Sequence, residues 1–300
     1  MLLVDTDPGL DDAHALAMAC ARQTVVGVTT VAGNVDLPIA TENACRLLGV
    51  LAPEVPVFRG AAAPLGGERL RATHIHGEDG LLGATIPDGA QVSPADEPAA
   101  VAIARLAREH RGKLTVVALG PLTNIALALR LDPDLAGNLA SIVVMGGAIR
   151  AEGNASPVGE FNVTADPVAA DIVLGEMAAV TLVAWETTRT APFTPEEWAV
   201  MAKSGTPGAR VLAALDDARV RARPDSVERP RSTADPIAMA VALDPACVRR
   251  SARHAVLVGT APGLAAGLTA VDWTGSRPDR PDVHIPLELD RDRVHELLTL

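Results

Sequence analysis

The sequence predicts an α/β fold built on a doubly wound, mostly parallel sheet with helices on both faces. Three observations carry that expectation. Short apolar runs such as Leu2 to Asp5, Val25 to Val31 and Ser141 to Met145 have the length and β-branched content of strands buried on both faces. Stretches of helical length, such as Leu37 to Leu51 and Ala99 to His110, fall between them. The alternation runs through the 300 residues without an internal repeat or a clear linker, and 48% hydrophobic content is enough for a large core, so one domain over residues 1–300 is expected.

Leu2 to Asp5 reads as a strand that breaks at Pro8-Gly9, and Asp11 to Ala21 as a helix with acidic residues in its first turn. Val25 to Val31, a helix over Leu37 to Leu51 and a strand over Val55 to Phe58 complete the opening βαβ units. Arg59 to Pro98 is rich in Gly, Pro and charge, and a connection of that length is often functional. A helix at Ala99 to His110, a strand at Leu114 to Ala118, a helix after Pro121 and a strand at Ser141 to Met145 follow, and Gly146 to Thr164 forms a second long loop. Pro167 to Leu174 reads as helix, Val180 to Ala184 as strand, and Pro195 to Lys203 and Pro207 to Val220 as helices. Arg221 to Ser232 is a third loop, dense in Arg and Pro, before a helix at Ala234 to Leu243. From Ala255 short strands and turns lead to a last helix at Arg291 to Leu298. In such a Rossmann-like sheet the three loops converge with the acidic start of the chain at the carboxyl ends of the strands, where ligands bind.

Several function classes are disfavoured. A net charge of −11 with scattered basic residues works against binding a phosphate backbone, so no nucleic-acid partner is expected. No apolar stretch reaches membrane-spanning length and the opening residues lack a basic signal-peptide region, which points to a cytoplasmic protein without a membrane partner. Cys20, Cys45 and Cys247 lie far apart outside any CxxC spacing and suggest neither disulfides nor zinc.

Asp5, Asp7, Asp11 and Asp12 place four carboxylates where a strand hands over to a helix. Such concentrated negative charge is costly unless a cation offsets it, and all-oxygen ligands select calcium or magnesium. The alternative is that these acids cap a helix and face water.

The string DTDPGLDDAHAL resembles the amino-terminal signature of the inosine-uridine preferring nucleoside hydrolase family. TTVAGN at Thr29 to Asn34, HGEDGL at His76 to Leu81, LGPLTNIALA at Leu119 to Ala128, MGG at Met145 to Gly147, EFNVTADP at Glu160 to Pro167 and ADPIAMA at Ala234 to Ala240 extend the resemblance in order over nearly the whole chain.

The resemblance implies the nucleoside hydrolase fold, a bound Ca2+ and cleavage of the N-glycosidic bond of a ribonucleoside. Asp7, Asp12 and Asp235 match the family's metal ligands, with the Leu119 backbone carbonyl as a further one, a role open to any side chain. Asp7 takes the part of general base on a calcium-bound water. Asn34 and His76 join it as catalytic candidates; Asp11, Asn34 and Asn162 match residues that bind the ribose 2′ and 3′ hydroxyls, Asn154 and Glu160 the 5′ hydroxyl, and Met145 and Phe161 the sugar pocket. His76 falls in a segment that closes over the base in relatives, where it contacts or helps protonate it. The resemblance also implies a homodimer or homotetramer.

The chain departs from the family at the leaving group. Many members carry His where this chain has Ala234, and the Arg221 to Ser232 loop lacks the aromatic residues found there in relatives. Arg221, Arg223, Arg229 and Arg231 occupy that loop instead, able to hydrogen-bond a pyrimidine carbonyl but most of them expected to be solvated; His76 is the first candidate for leaving-group help and an Arg of this loop the second. Trp185 and Trp198 are expected in the core or a subunit interface, and AWETTR replaces an apolar-Asp-x-Thr pattern with no evident consequence. Two other functions fit less of the sequence: a nucleoside-binding relative that has lost turnover, and a magnesium-dependent phosphatase of the haloacid dehalogenase type, whose motif Asp5-Thr6-Asp7 begins but Pro8-Gly9 does not continue.

Overall fold

The computed structural model describes residues 1–150, 152–201, 204–226, 230–231 and 233–299. The strands are β1 Leu2–Thr6, β2 Val25–Thr30, β3 Val57–Arg59, β4 Thr115–Ala118, β5 Ser141–Met145, β6 Val180–Val183, β7 Val248–His254, β8 Val256–Val258, β9 Thr269–Val271 and β10 Val283–Leu289. Eight of them form one sheet in the order β3-β2-β1-β4-β5-β6-β10-β7, and β8 pairs with β9 in a small hairpin. Every pairing in the large sheet is parallel except β10 with β7 at one edge. The expected doubly wound, mostly parallel sheet is therefore present, and its order reverses between β1 and β4.

The strands are apolar on both faces because both are covered. Leu2 and Val4 of β1, Val117 of β4 and Val143 of β5 point into one core with helices Leu10–Arg22, Leu37–Leu51 and Ala234–Leu243. Their neighbours Leu3, Val116, Ala118 and Val144 point into the other, with helices Ala99–Glu109, Thr123–Leu131 and Pro167–Glu176. The period of two along each strand divides the residues between the cores, and removing such side chains from water is the main stabilising term.

Element identities agree closely with the sequence reading, and three features differ. Strand β7, VRRSARH, is antiparallel and mostly exposed, so its sequence carries no buried-strand signal. Short helices Thr73–His76 and Phe161–Ala165 interrupt two stretches expected as loops, and Trp185–Thr188 adds another turn. The helix expected to end at Val220 continues to Ala222, and the rest of the Arg-rich loop lies partly outside the described residues, as does Lys203.

One buried group joins the sheet to its helices. Asp5 is fully buried, and its Oδ1 accepts hydrogen bonds from Thr29 Oγ1 on β2 at 2.5 Å and Asn124 Nδ2 at 2.8 Å. Asn124 also donates to the Thr30 carbonyl at 3.0 Å and accepts from Ala61 N at 2.8 Å. Desolvation raises the Asp5 carboxyl to about 6 despite those two donors. A carboxyl raised on folding loses stability as pH climbs from its unfolded value toward its folded one. Asn124→Ala removes a donor, pushes Asp5 higher and is expected to cost about 1–3 kcal/mol for the unsatisfied group. Urea melts of both proteins check this, with a larger gap at pH 8 than at pH 5; an equal gap at both would show that Asp5 does not feel Asn124.

Candidate active site

The reversal in strand order puts the ends of β1 and β4 side by side, and the acidic cluster sits there. Asp7 follows β1 and is fully buried. Asn34, after β2, donates its backbone N–H to Asp7 Oδ2 at 2.7 Å, while Asp7 Oδ1 is buried without a hydrogen-bond partner. The glycines beside it explain part of the motifs: a Cβ at Gly33 would stand 2.0 Å from Asp7 Oδ2, and one at Gly120 2.6 Å from Oδ1. Only glycine leaves room for the carboxylate.

Asp11 and Asp12 open the helix Leu10–Arg22, and Asp235 lies in the first turn of Ala234–Leu243. One ligand oxygen from each of these three lies within 4.8 Å of the others. Asp12 Oδ1 accepts from Thr6 Oγ1 at 2.5 Å, and its Oδ2 from Gly9 N at 2.9 Å and Asn34 Nδ2 at 3.2 Å. Asp7 stands beside this trio and not within it. The Leu119 carbonyl, just past β4, accepts from Asn162 Nδ2 at 2.6 Å and keeps a second lone pair.

All four carboxyls are pushed above their ordinary range. Burial is the first cause throughout; for Asp7 the next is the charge of Asp12, and for Asp235 the charges of Asp11, Asp12 and Asp7. Such a set holds an unpaid cost that a divalent cation would remove, and its donors are all oxygen, which fits calcium or magnesium.

Asp11 and Asp235 line a cavity of about 520 Å³, while Asp7 and Asp12 are buried next to them. Asp11, Asn34, Met145, Asn154, Glu160, Phe161 and Asn162 all line it, as does His76, so the expected sugar and base residues are brought together. Several already have partners. Glu160 caps the helix Phe161–Ala165, accepting from Asn162 N at 2.9 Å and Val163 N at 3.2 Å, and takes Gly147 N at 2.8 Å. Burial raises its carboxyl. Asn154 is exposed at the rim and accepts from Phe161 N at 2.7 Å. Asn162 also donates to the Met145 carbonyl at 3.1 Å.

His76 is buried over Gly9, where a Cβ would stand 2.5 Å from its Nδ1. Nδ1 accepts from Leu10 N at 3.1 Å, which places the proton of the neutral ring on Nε2. Burial lowers its pKa to about 4, against the pull of Asp12.

Of the remaining lining, the sequence marks only the arginines of the third loop as site candidates. Trp198 is buried in the core as expected, yet it and the half-buried Trp185 both face the cavity. Two loop arginines expected to be solvated are engaged: Arg223 Nη2 donates to the His74 carbonyl at 3.0 Å and the Ile75 carbonyl at 2.5 Å, and Arg231 Nη1 meets Asp216 at 2.5 Å. Arg221 is exposed, and Arg229 lies outside the described residues. Glu186 of AWETTR accepts from Arg150 N at 2.6 Å and Ile149 N at 3.2 Å, tethering the loop that follows β5. Among the described residues no helix is long and apolar enough to cross a membrane.

A doubly wound sheet with a buried acidic nest and a cavity at its reversal point defines an α/β protein with a small-ligand site of the kind this architecture carries at its strand ends. Comparison with known proteins gives the class. The sequence matches the family described as "Inosine-uridine preferring nucleoside hydrolase" over residues 2–296. It is 35% identical over 297 residues to the inosine-uridine preferring nucleoside hydrolase of Leishmania major, covering 97% of this chain and 94% of that protein. It is 43% identical over 202 residues to "Probable uridine nucleosidase 1" of Oryza sativa subsp. japonica, where the match covers 65% of this chain and 61% of the rice protein. A solved plant nucleoside hydrolase superposes with a TM-score of 0.89 at 34% identity, covering 99% of this chain and 97% of that one. The chain belongs to the inosine-uridine preferring nucleoside hydrolase family.

The raised carboxyls make a pH-dependent prediction. Without a cation, stability contributed by the nest falls as pH rises above the ordinary carboxyl value, because folding then requires protons or crowded charges. Added calcium should raise the melting temperature, by the equivalent of about 2.7 kcal/mol at a hundredfold excess over Kd, and more at pH 8 than at pH 5. Identical melting curves with calcium and with chelator at pH 8 would show that the nest is not a cation site.

Proposed function

We propose that this protein is a calcium-dependent ribonucleoside hydrolase that releases ribose and free nucleobase. The observation that carries the reading is the buried, partnerless Asp7 Oδ1 beside an all-oxygen nest, two of whose carboxylates, Asp11 and Asp235, line the cavity. Asp7, Asp12, Asp235 and the Leu119 carbonyl would hold the calcium. When bound, the cation lowers the pKa of a water and orients it.

The chain's own residues supply the rest. Asn34 fixes Asp7 through Oδ2 and leaves Oδ1 to take the proton of the water that attacks the anomeric carbon. Asp11, Asn34 and Asn162 grip the ribose 2′ and 3′ hydroxyls, Asn154 and Glu160 the 5′ hydroxyl, and Met145 and Phe161 pack against the sugar. Binding the hydroxyls places the carboxylates beneath the positive charge that develops on the ribosyl ring as the base departs. His76 offers its Nε2 proton to the base as a hydrogen-bond donor, since burial keeps the ring neutral at pH 7. The sequence reading adds a single catalytic domain over residues 1–300 and a cytoplasmic location, and the resemblance a homodimer or homotetramer.

Ala234 favours a second reading, a relative that binds nucleosides without turning them over, because the acid found there in many members is missing. Ribose release from inosine, adenosine, guanosine, uridine and cytidine separates the two. Turnover by the calcium-loaded protein is expected, falling roughly 10²- to 10⁴-fold in Asp7→Ala and on chelation. Calorimetric binding of a nucleoside with no ribose released would establish the second reading.

A further inference from the structure

Breaking the bond between C1′ and the base leaves an electron pair on the base nitrogen, which a proton or a fixed positive charge must stabilise. Where many members of the family carry the acid that gives that proton, this chain has Ala234, and His76 already has its Nδ1 engaged by Leu10 N. Three arginines line the same cavity. Arg223 is engaged by the carbonyls of His74 and Ile75, and Arg219 meets Asp216 through both Nε at 3.2 Å and Nη2 at 3.0 Å.

Arg231 is held differently. Its backbone exchanges two hydrogen bonds with Phe193, at 2.8 and 2.7 Å, which fixes where the side chain starts. Asp216 takes Nη1, the guanidinium lies 4.7 Å from the centre of the Trp198 ring, and Nε is buried without a hydrogen-bond partner. The side chain is 12% exposed, so water does little to dilute its charge. It stands four positions before Asp235, at most roughly 14 Å of chain, which keeps it within a nucleoside's reach of the nest.

We propose that Arg231 is the leaving-group residue of this site, stabilising the departing nucleobase as an anion by charge and hydrogen bonding in place of a general acid. The inference rests on the hydrolase reading above. The bond from C1′ to the base nitrogen breaks, its electron pair passes to the base and spreads to a ring carbonyl facing the guanidinium, and the anion takes its proton from water after it departs. Trp198 keeps the guanidinium flat and Asp216 keeps it from swinging away, so both are positioning residues.

The test compares the calcium-loaded wild type with Arg231→Gln and Arg231→Lys on two substrates: uridine, and p-nitrophenyl β-D-riboside, whose nitrophenolate departs without help. Arg231→Gln should lose roughly 10²- to 10³-fold in kcat on uridine. It should keep its rate on the nitrophenyl riboside, and Arg231→Lys should recover part of the loss because charge is restored. Equal losses on both substrates, or none on either, would overturn the role. A wild type that cleaves neither substrate overturns the hydrolase reading itself, and one that cleaves only the nitrophenyl riboside overturns the leaving-group assignment alone.

Discussion

The structure is organised around the cost of holding four carboxylates out of water. Asp7, Asp11, Asp12 and Asp235 come from a strand end and two helix starts, and Asp7, Asp11 and Asp12 each raise the proton affinity of at least one of the others. No cationic side chain forms an ion pair with any of them among the described residues. A protein that keeps such an arrangement has left the compensating charge to a ligand.

The sheet order makes the arrangement possible. With β1 and β4 adjacent at the reversal, their connections leave toward opposite faces and open a gap at their carboxyl ends. Asp7 enters from β1, Asn34 from β2 and Leu119 from β4, so the site depends on strand register across the two hydrogen-bond ladders that join these three strands. Asp5 and Asn124 lock that register from beneath, and the glycines at 33 and 120 keep the space above it clear for a carboxylate. The amino-terminal motif thus has two jobs: Asp5 braces the sheet, while Asp7, Asp11 and Asp12 gather at the acidic nest, from which Asp11 reaches the cavity.

Much of this was legible in sequence because each signal was local. Buried parallel strands announce themselves as apolar runs, and the helices Leu37–Leu51, Ala234–Leu243 and Arg291–Leu298 fall where periodicity and caps place them. Strand β7 escaped because an edge strand with arginines on its open face has no apolar pattern to read. The candidate site divides in the same way. Its acids and amides occur in contiguous motifs, whereas Arg231 meets Asp216 across fifteen positions and Trp198 across the turn at Phe193, pairings that composition cannot foresee. The arginines looked solvated because a loop dense in Arg and Pro ordinarily is. The backbone tether of Asp7 by Asn34 was hidden for another reason: a main-chain N–H has no signature in the side-chain alphabet.

Cleaving a glycosidic bond to nitrogen separates charge, with a cation forming on the sugar and an anion on the base. An acidic nest answers the first half alone, and in a chain of net charge −11 the second half cannot be left to the general field of the protein. A local positive group must therefore be built in, kept dry enough to act and prevented from collapsing onto the nest, where it would neutralise the carboxylates. The pairing of Arg231 with Asp216 and its seat on Trp198 meet all three requirements. Opposite charges about 10 Å apart at an effective dielectric near 20 still attract by about 1.7 kcal/mol, so the spacer has a definite force to resist. An aromatic face and a half-buried carboxylate supply that resistance without spending a proton, which a site with alanine before its late aspartate does not have to give.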